Sequence, residues 1–488
     1  MFFWVGFRKK WIHFKKRFSY KHMNTKDFRE HAHQLVDWMA DYLENIEDYR
    51  LVPDTKPRQV FEQIPDIAPL KGENFEQIFT DFRQIIVPNM THWQNPSFFA
   101  YFPANSSPPS VLAEMLTATL AAQCMIWQTS PAAAELEEKM MIWLQNLCGL
   151  PKNWHGVIQD TASTATLCAL LTAREQFSDF QINQKGFQNQ QFVIYGSTQT
   201  HSSLDKAVKI AGFGIDNLRK IEVDQHFSMK PEILEKTILE DLENGKKPLC
   251  VVASIGTTSS TAVDDVVEIG EICQKYGVWL HIDAAYAGNA AILPEKRGFF
   301  KGLELADSYV FNPHKWLLTN FDCTAYFVKN KEALIRTFSI MPEYLKTQVD
   351  EQVNNYRDWG VQLGRRFRAL KLWFVLRSYG SEGLQSILRG HHEFAENFAE
   401  KLRQHTDFEI VAPLNFNLVC FRFCPKNHSE SELDQLNEQL LHRLNATGKV
   451  FLAHTKLNGK YIIRAVFGQT FLEQKHVEKL WELILENC

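Results

Sequence analysis

Apolar residues recur along the middle of the chain with two different spacings. Between about residues 108 and 375, short apolar runs such as QFVIYG, LCVVASIG and VWLHID alternate with segments such as KPEILEKTILEDLENG and DDVVEIGEICQKYG. Short apolar runs rich in β-branched residues are typical of strands buried on both faces, and the segments between them have helical periodicity. The alternation therefore predicts an α/β fold, with a mostly parallel central sheet covered by helices.

The flanking segments have other patterns. Residues 25–48 and 74–87 predict amphipathic helices, and the aromatic loop NMTHWQNPSFFAYFPANSS follows them. After about residue 375, the pattern predicts strands and two helices, which indicates a small α+β domain. The predicted regions are a leader (1–22), an N-terminal helical segment (23–107), a large domain (108–375) and a small C-terminal domain (376–488).

The leader carries seven Lys and Arg residues and no Asp or Glu. Its aromatic residues recur at helical spacing: Trp4, Phe7, Trp11, Phe14 and Phe18. One interpretation is a helix that lies on a membrane surface. The other is upstream sequence ahead of a start at Met23, where a normally capped helix begins. We favour the second interpretation, which makes membrane contact through residues 1–22 the less favoured alternative.

The composition of the chain indicates which kinds of partner and which cellular compartment suit it. The 53 basic and 57 acidic residues give a net charge of −4, which offers no argument for a nucleic-acid partner. The nine cysteines are scattered and form no CxxC pair, which favours a reducing compartment, the cytoplasm, over a disulfide framework or a metal site. No apolar run approaches the roughly 18 residues of a membrane-spanning helix.

Polar residues follow several of the predicted strands. Ligands of parallel sheets bind at the carboxyl ends of the strands, so these positions are candidates for a site. Asp283 follows VWLHI, His201 follows the strand QFVIYG, and Lys315 follows SYVF. Thr258 comes shortly after VVASI, and the stretch QDTAS precedes a helix whose free N–H groups would bind an anion.

Lys315 is the most informative of these residues, because it lies between the apolar runs YVF and WLL. A buried ammonium is costly unless it is paired or its amine does covalent chemistry. Pyridoxal phosphate (PLP) would account for the whole set. Lys315 would bind its carbonyl carbon, Asp283 would keep the pyridine nitrogen protonated, and His201 could stack on the ring. The helix start, with Ser308 and Asn312, would hold the phosphate. Each residue alone also fits a structural role, such as a helix cap or a core histidine.

Longer motifs resemble those of a known family. HIDAAYAG and NPHKWLLTNFDC, with Lys315 following Asp283 by 32 residues, resemble the group II PLP-dependent amino acid decarboxylases, and most closely the aromatic-L-amino-acid decarboxylases. THWQNPSFFAYFP, SPAAAELEEKMMIWL, HSS, IGTTSSTAVDD and LGRRFRALKLWF also match, from about Met23 to the C-terminus. The resemblance implies an aspartate-aminotransferase-like fold of fold type I, with PLP bound in the large domain, and a homodimer.

The resemblance also implies residue roles. Lys315 forms the Schiff base with PLP, Asp283 bonds the pyridine nitrogen, and His201 stacks on the ring and meets the substrate carboxylate. Tyr344, in MPEYLK, matches the tyrosine of the family's catalytic loop and would protonate Cα. The further implied cofactor-binding residues are Thr161, Ala162, Ser163, Thr258, Ala285, Ser308 and Asn312. The implied substrate-side residues are Trp93, Tyr101, Phe102, Pro103, His314 and Gly364, together with His201.

Two positions depart from the family pattern. Many relatives begin the phosphate stretch with Gly-Ser-Ala-Ser-Glu, whereas this chain has Asp160-Thr161-Ala162-Ser163-Thr164. An acid beside a phosphate is unfavourable, so we expect the Asp160 side chain to point away from the phosphate. Ala104 replaces a common threonine near the substrate, which leaves substrate detail open.

The resemblance implies decarboxylation of aromatic L-amino acids of the tyrosine, DOPA, tryptophan or phenylalanine type. HWQNPSFFAYFPANSS has no Lys or Arg to pair a distal carboxylate, and Gly364 aligns with a serine of histidine-specific relatives. The alternatives are an aldehyde synthase of the same fold, a histidine decarboxylase and a catalytically silent paralogue. Aldehyde synthases of the family replace the stacking histidine or the loop tyrosine, and this chain keeps both. The preferred aromatic substrate stays open.

Overall fold

The computed structural model describes residues 23–340 and 352–488, which form two compact units. The first unit holds the described residues up to Tyr49 together with Pro53–Thr91. In it the two predicted N-terminal helices are confirmed as α1 (Thr25–Glu44) and α3 (Phe75–Asp81). The short helix α2 (Gln59–Gln63), which the sequence pattern did not predict, lies between them in the chain. The side chain of Asn24 caps α1 by accepting two backbone N–H groups, and Trp38 packs edge-on against Phe79 of α3.

The second unit comprises Arg50–Val52 and His92–Cys488. Its helices are α4 (Pro108–Leu120), α5 (Pro131–Cys148), α6 (Ala162–Phe177), α7 (Ile182–Lys185), α8 (Ser203–Ile210), α9 (Pro231–Glu243), α10 (Val266–Tyr276), α11 (Pro313–Trp316), α12 (Lys331–Phe338), α13 (Arg368–Gln404), α14 (Glu430–Ala446) and α15 (Gln474–Asn487).

One helix is shorter than its sequence pattern predicts. The apolar periodicity of residues 110–127 predicts a single helix, but α4 ends at Leu120 because Ala121 adopts a left-handed conformation. Beyond it the backbone pairs with distant segments instead: Cys124 N–H donates to the Arg365 carbonyl and Trp127 N–H to the Asn355 side chain. Tertiary hydrogen bonds thus replace the last turns of the expected helix.

A seven-stranded sheet forms the centre of the second unit, in the order β1-β7-β6-β5-β4-β2-β3. Its strands are β1 (His155–Gln159), β2 (Phe192–Ser197), β3 (Leu218–Ile221), β4 (Lys247–Ser254), β5 (Trp279–Asp283), β6 (Ser308–Phe311) and β7 (Thr324–Val328). Neighbours from β3 to β6 pair in parallel, which confirms the mostly parallel sheet. β7 pairs antiparallel with both β6 and β1, so β1 runs in the same direction as β6. The carboxyl ends of β1 to β6 therefore meet at one edge.

A four-stranded antiparallel sheet lies in the C-terminal part, in the order β10-β11-β9-β8. Its strands are β8 (Phe408–Ile410), β9 (Leu418–Phe423), β10 (Ala453–Leu457) and β11 (Lys460–Val466). A buried apolar cluster joins it to α14, α15 and the C-terminal half of α13, which confirms the predicted strands and two helices. The pattern did not predict α13, which begins ahead of residue 376 and leaves helical geometry at Gly380.

Two glycines allow the segments at the carboxyl edge to approach each other closely. Gly256, after β4, has a φ of 84°, and a Cβ there would lie 2.4 Å from the Ala287 Cβ. A Cβ on Gly288 would lie 2.4 Å from the Phe311 Cβ at the end of β6. The turn after β4 and the segment after β5 therefore lie against each other and against β6. No helix within residues 23–340 and 352–488 has the length and apolar character that crossing a bilayer requires.

The close approach at Gly288 predicts a stability difference between two glycine substitutions. Gly288→Ala should lower the free energy of unfolding by about 1–3 kcal/mol, because the new methyl group overpacks a buried contact. Gly390→Ala is the control, since Gly390 lies in α13 with open space around it, and should raise that free energy by roughly 0.5–1 kcal/mol. Chemical denaturation measures both changes, and an unchanged unfolding midpoint for Gly288→Ala would contradict the packing argument.

Candidate active site

A cavity of about 200 Å³ opens at the carboxyl edge of the large sheet. It collects residues that follow five different strands, as the sequence pattern predicts for a ligand site in a parallel sheet. Its described lining consists of Phe102, Thr161, Ala162, Ser163, His201, Ser203, Ser254, Gly256, Thr257, Thr258, Asp283, Ala285, Tyr286, Asn312, His314, Lys315 and Phe321.

Lys315 lies on α11, the short helix that follows β6, and its amine points into this cavity. Its Nζ is 5.7 Å from the centre of the Phe102 ring. Burial lowers the pKa of Lys315, and the charge of Asp283 opposes that shift in part. Among the described residues no ion pair or hydrogen bond holds the amine. A desolvated lysine of lowered pKa is suited to attack a carbonyl carbon.

Asp283 ends β5 and is 9% exposed. Its Oδ1 accepts the backbone N–H of Ala285 at 3.0 Å, and Ala285 also lines the cavity. No other described residue donates to its carboxylate, which leaves the second oxygen available to a ligand. A buried carboxylate in this position can stabilise a proton on a ring nitrogen.

His201 opens onto the cavity ahead of α8. The backbone N–H of Ser203 donates to its Nδ1 at 3.1 Å, and the Ser203 hydroxyl lies 2.9 Å from the same atom. Because Nδ1 accepts a hydrogen bond, the neutral ring carries its proton on Nε2. Partial burial lowers the pKa of His201. The charge of Asp283 raises this pKa in part, and the charge of Lys315 lowers it further.

His314 lies buried beside Lys315 on α11. The backbone N–H of Cys323 donates to its Nδ1 at 2.9 Å, and its ring centre is 4.6 Å from that of Phe321. Burial, helped by the charge of Lys315, lowers the pKa of His314 to about 3. The ring is therefore neutral at physiological pH and serves as a fixed, uncharged wall.

The N-terminus of α6 forms an anion-binding surface at the edge of the cavity. Thr161 is its N-cap, and its hydroxyl accepts the N–H of Thr164 at 3.4 Å. The N–H groups of Ala162 and Ser163 have no partner within the helix, and the helix dipole favours negative charge there. Asn312 lies nearby, and its Oδ1 accepts a hydrogen bond from the Thr324 hydroxyl at 2.9 Å, which leaves its amide N–H groups free to donate.

The Asp160 carboxylate is held by hydrogen bonds outside the cavity lining. Its Oδ1 accepts the Thr161 N–H at 2.6 Å, its Oδ2 accepts from Gln362 at 3.2 Å, and Asp160 is not part of the cavity lining. The departure from the family pattern is therefore accommodated by hydrogen bonds to the neighbouring backbone and to a distant side chain.

The structure corrects the predicted role of Ser308. We expected it at the phosphate, but it begins β6, whereas Asn312 follows the end of that strand. Four residues of strand separate the two by about 13 Å. The Ser308 hydroxyl is fully buried and bonds the Trp279 Nε1 at 3.0 Å and the His281 Nδ1 at 2.9 Å. It stabilises the core at a distance from the cavity.

The expected substrate-side residues divide into two groups. Phe102, His201 and His314 line the cavity. Four others do not line it in the single chain: Trp93, Tyr101, Pro103 and Gly364. The rings of Trp93 and Tyr101 are exposed and stacked, with their centres 6.0 Å apart. Gly364 is exposed and lies near Gln123. Tyr344 lies outside the described residues.

Several residues of the cavity wall were not predicted from the sequence, and Tyr286 is the most prominent of them. It stacks on Phe102, with ring centres 3.7 Å apart and planes inclined by 9°, and on Trp316 at 5.0 Å. Its hydroxyl donates to the Asn417 Oδ1 at 2.8 Å. Tyr286 lies inside the motif HIDAAYAG and Ser203 inside HSS, so both were within motifs that matched without being singled out.

Comparison with known proteins decides the family. Residues 57–424 match the pyridoxal-dependent decarboxylase conserved domain. The chain belongs to this family. It is 43% identical to a phenylacetaldehyde synthase of Arabidopsis thaliana, over 96% of this chain and 97% of the relative. It is 42% identical to tyrosine decarboxylase 2 of Narcissus pseudonarcissus, over 96% and 95%.

The solved structures agree. Oryza sativa TDC with PLP and tryptamine superposes with a TM-score of 0.93 at 35% identity, covering 96% of this chain and 99% of that one. This decarboxylase-family enzyme therefore has the fold of the fold-type I PLP enzymes, uses pyridoxal 5'-phosphate as its cofactor and is a PLP-dependent carboxy-lyase. The recognition of the family from its sequence motifs is confirmed.

The cavity residues of this pyridoxal-dependent decarboxylase fit the cofactor. The unpaired amine of Lys315 would hold the carbonyl carbon, and the available oxygen of Asp283 would hold the protonated pyridine nitrogen. The N–H groups at the start of α6, with the amide of Asn312, would hold the phosphate. His201 and Ala285 would lie against the ring. These are the chemical groups that a phosphorylated pyridine aldehyde requires.

Lys315→Ala should abolish covalent attachment of PLP, because no other lysine lines the described cavity. Borohydride reduction followed by peptide mass spectrometry measures the attachment. The matched control is Lys371→Ala, since Lys371 is also buried and burial lowers its pKa to about 8, but it pairs with Glu114 at 3.0 Å. The control should retain covalent cofactor at Lys315. Cofactor fixed to any lysine of the Lys315→Ala protein would refute the assignment.

Proposed function

We propose that this enzyme decarboxylates aromatic L-amino acids of the tyrosine, DOPA, tryptophan or phenylalanine type, releasing the amine and carbon dioxide. The observation that carries the proposal is the aromatic wall beside the Lys315 amine, where Phe102 stacks on Tyr286. Lys315 is the only Lys or Arg among the described lining residues. A distal carboxylate would therefore lack a partner, whereas a flat apolar side chain would pack.

The relatives support this substrate class. Besides the tyrosine decarboxylase of Narcissus pseudonarcissus, the chain is 41% identical to tryptophan decarboxylase 2 of Oryza sativa subsp. japonica, over 96% of this chain and 95% of the relative. Because both relatives are named for aromatic amino acids, an aromatic substrate is the most economical assignment here as well.

The residues of the cavity would divide the work of the reaction. PLP, when bound, supplies an acceptor for the electrons of the bond that breaks. Asp283 would keep the proton on the pyridine nitrogen, which maintains that capacity. His201 carries its proton on Nε2 and would donate it to the substrate carboxylate as a hydrogen bond. Transfer from water into the cavity would weaken the solvation of that carboxylate and so favour its loss.

Tyr344 would complete the reaction by delivering a proton to Cα. This assignment rests on the family resemblance of MPEYLK, since Tyr344 lies outside the described residues. The amine of Lys315 would then regain the cofactor as the product leaves.

An aldehyde synthase is the second candidate, because relatives of that kind are also similar to this chain. Besides the Arabidopsis thaliana enzyme, the structure of Rhodiola rosea 4-hydroxyphenylacetaldehyde synthase superposes with a TM-score of 0.89 at 35% identity, covering 95% of this chain and 98% of that one. The presence of both His201 and Tyr344 favours the decarboxylase, since the family's aldehyde synthases replace one or the other. Product analysis separates the two.

We also propose that the enzyme is a homodimer with its sites near the subunit interface. Exposed apolar side chains support this: Trp93 and Tyr101 follow α3, and Leu112, Leu116 and Leu120 form a stripe at helical spacing on α4. A second copy would cover them. The small-molecule substrate and the second subunit are the proposed partners, without nucleic acid. Membrane contact through residues 1–22 is the less favoured alternative, and those residues lie outside the described part of the chain.

A cytoplasmic location is part of the proposal. All nine cysteines are free thiols, and seven of them are buried. Burial raises the pKa of several of these thiols, for example that of Cys124 to about 11, so they stay in the unreactive protonated form. This pattern suits a reducing compartment.

Substrate selectivity tests the proposal directly. The kcat/KM values for tyrosine, tryptophan, DOPA and phenylalanine should exceed those for glutamate and histidine by a factor of 100 or more. Burying the glutamate side chain without a partner costs several kcal/mol, and each 1.4 kcal/mol is about tenfold in rate. The same assay detects a silent paralogue, which would release no product. Glutamate or histidine as the best substrate would overturn the aromatic assignment while leaving the cofactor assignment intact.

Tyr344→Phe tests the proton donor. The variant should bind PLP normally but protonate Cα slowly, so that dioxygen competes for the reactive carbon. We expect at least a tenfold lower yield of amine, with aldehyde, ammonia and hydrogen peroxide in its place. Amine, aldehyde and oxygen uptake are measured together, and Tyr379→Phe on α13 is the control that should behave as wild type. An unchanged rate of amine formation would exclude Tyr344 as the donor.

A further inference from the structure

Arg464, in β11 of the small sheet, is buried without a counter-ion. Its side chain is 4% exposed, and no carboxylate among the described residues pairs with it. Burial lowers the pKa of its guanidinium below the ordinary value. A buried charge without an anion is costly, so the fold retains this arrangement against a large penalty.

Three backbone carbonyl groups from two segments hold the guanidinium instead. Nη2 donates to the Thr258 carbonyl at 2.6 Å and Nε to the Ser259 carbonyl at 3.2 Å, both in the turn after β4. Nη1 donates to the Ala100 carbonyl at 3.3 Å, in the aromatic loop that precedes α4. Only a planar fork with donors on three nitrogens can span both segments at once.

Both segments continue into walls of the active-site cavity. Thr258 lines it directly, and Phe102, two residues after Ala100, lines it beside Lys315. The Arg464 Cζ lies 5.7 Å from the Phe102 ring centre, which is also the distance from that centre to the Lys315 Nζ. Arg464 thus contacts two walls of the cavity. One is the Thr258 wall, on the cofactor side, and the other is the Phe102 wall, on the proposed substrate side.

Other residues of the small sheet reinforce the same turn. The Cys420 Sγ of β9 donates to the Ser259 carbonyl at 3.3 Å, and the Thr455 hydroxyl of β10 lies 3.1 Å from the Ser259 Oγ. Neither residue reaches the Ala100 segment. Arg464 is therefore distinguished from them by bridging the two walls.

We propose that Arg464 is a positioning residue, which fixes the distance between the Thr258 wall and the Phe102 wall and thereby sets the selectivity of the site for large, flat side chains. The effect on substrate selectivity rests on the proposed function, and KM measures it. The effect on PLP binding rests on the Thr258 wall alone, and the dissociation constant of PLP measures it.

The experiment compares Arg464→Lys with Arg422→Lys in the full-length holoenzyme. Arg422 is a fully buried arginine of β9 in the same sheet, but its guanidinium pairs with Glu430 and Asp434 and contacts neither cavity wall. Arg422→Lys therefore reports the general effect of replacing a buried arginine, and it should lower the melting temperature without changing KM or the dissociation constant of PLP.

Arg464→Lys keeps the positive charge but cannot span both segments. We expect KM for tyrosine and tryptophan to rise about tenfold, with kcat changed less than about threefold, because a wall that shifts by a fraction of an ångström loses contacts with the substrate. The dissociation constant of PLP should rise about threefold to tenfold. Adding Phe102→Leu should raise KM little further, since both changes act on the same wall.

Arg464→Gln is the second variant, because it removes the buried charge and retains an amide donor, and it should act in the same direction. A folded Arg464 variant with wild-type KM and wild-type PLP affinity would overturn the proposal, as would equal effects in Arg422→Lys. If the wild-type enzyme does not act on aromatic amino acids, the proposed function fails. The PLP dissociation constants of Arg464→Lys and Arg422→Lys then still test the positioning role.

Discussion

Burial of the Lys315 amine is the constraint on which the rest of the site depends. Its pKa is lowered by burial, and only the Asp283 charge offsets that shift. A neutral core would be more stable with an apolar residue there, so the position makes sense as a place where a carbonyl compound binds. The sheet brings the two residues together because Asp283 ends β5 and Lys315 follows the adjacent parallel strand β6. Phe102, which stacks on Tyr286, lies 5.7 Å from the amine.

Buried cations near the cavity differ from those farther away in whether a carboxylate pairs with them. Cations farther from it are paired: Lys371 with Glu114 at 3.0 Å, and Arg368 with Asp322 at 3.0 Å. Lys315 and Arg464 have no such partner among the described residues, and both lie 5.7 Å from the Phe102 ring centre. These two cations and the N-terminus of α6 lie around a cavity whose described lining has one carboxylate, Asp283, an arrangement that suits ligands that carry a phosphate and a carboxylate.

Strand-end residues could be predicted from the sequence because parallel topology decides where they lie. Once VWLHI and SYVF are recognised as parallel strands, Asp283 and Lys315 must share an edge, whatever their side chains contact. The prediction that Ser308 would hold the phosphate was wrong for the same topological reason: Ser308 begins its strand, and the start of a strand lies at the opposite edge of the sheet. The short end of α4 and the bridge made by Arg464 depend on partners more than 200 residues away, and periodicity carries no information about them. Tyr286 was missed because it lies in an apolar motif and acts by stacking, which its sequence context does not distinguish from ordinary core packing.

On the proposed function, cofactor binding, substrate choice and reaction outcome would depend on different parts of this chain. The large sheet supplies Lys315, Asp283 and the α6 N-terminus, which suit PLP whatever the substrate. The shape of the proposed substrate side would depend on Phe102, whose loop is hydrogen-bonded to the small sheet through Arg464. The fate of the reactive carbon would depend on proton delivery, for which Tyr344 is the proposed donor. Such a division would allow relatives to share the cofactor site while differing in substrate or product, as the tyrosine decarboxylase and phenylacetaldehyde synthase relatives of this chain do by name.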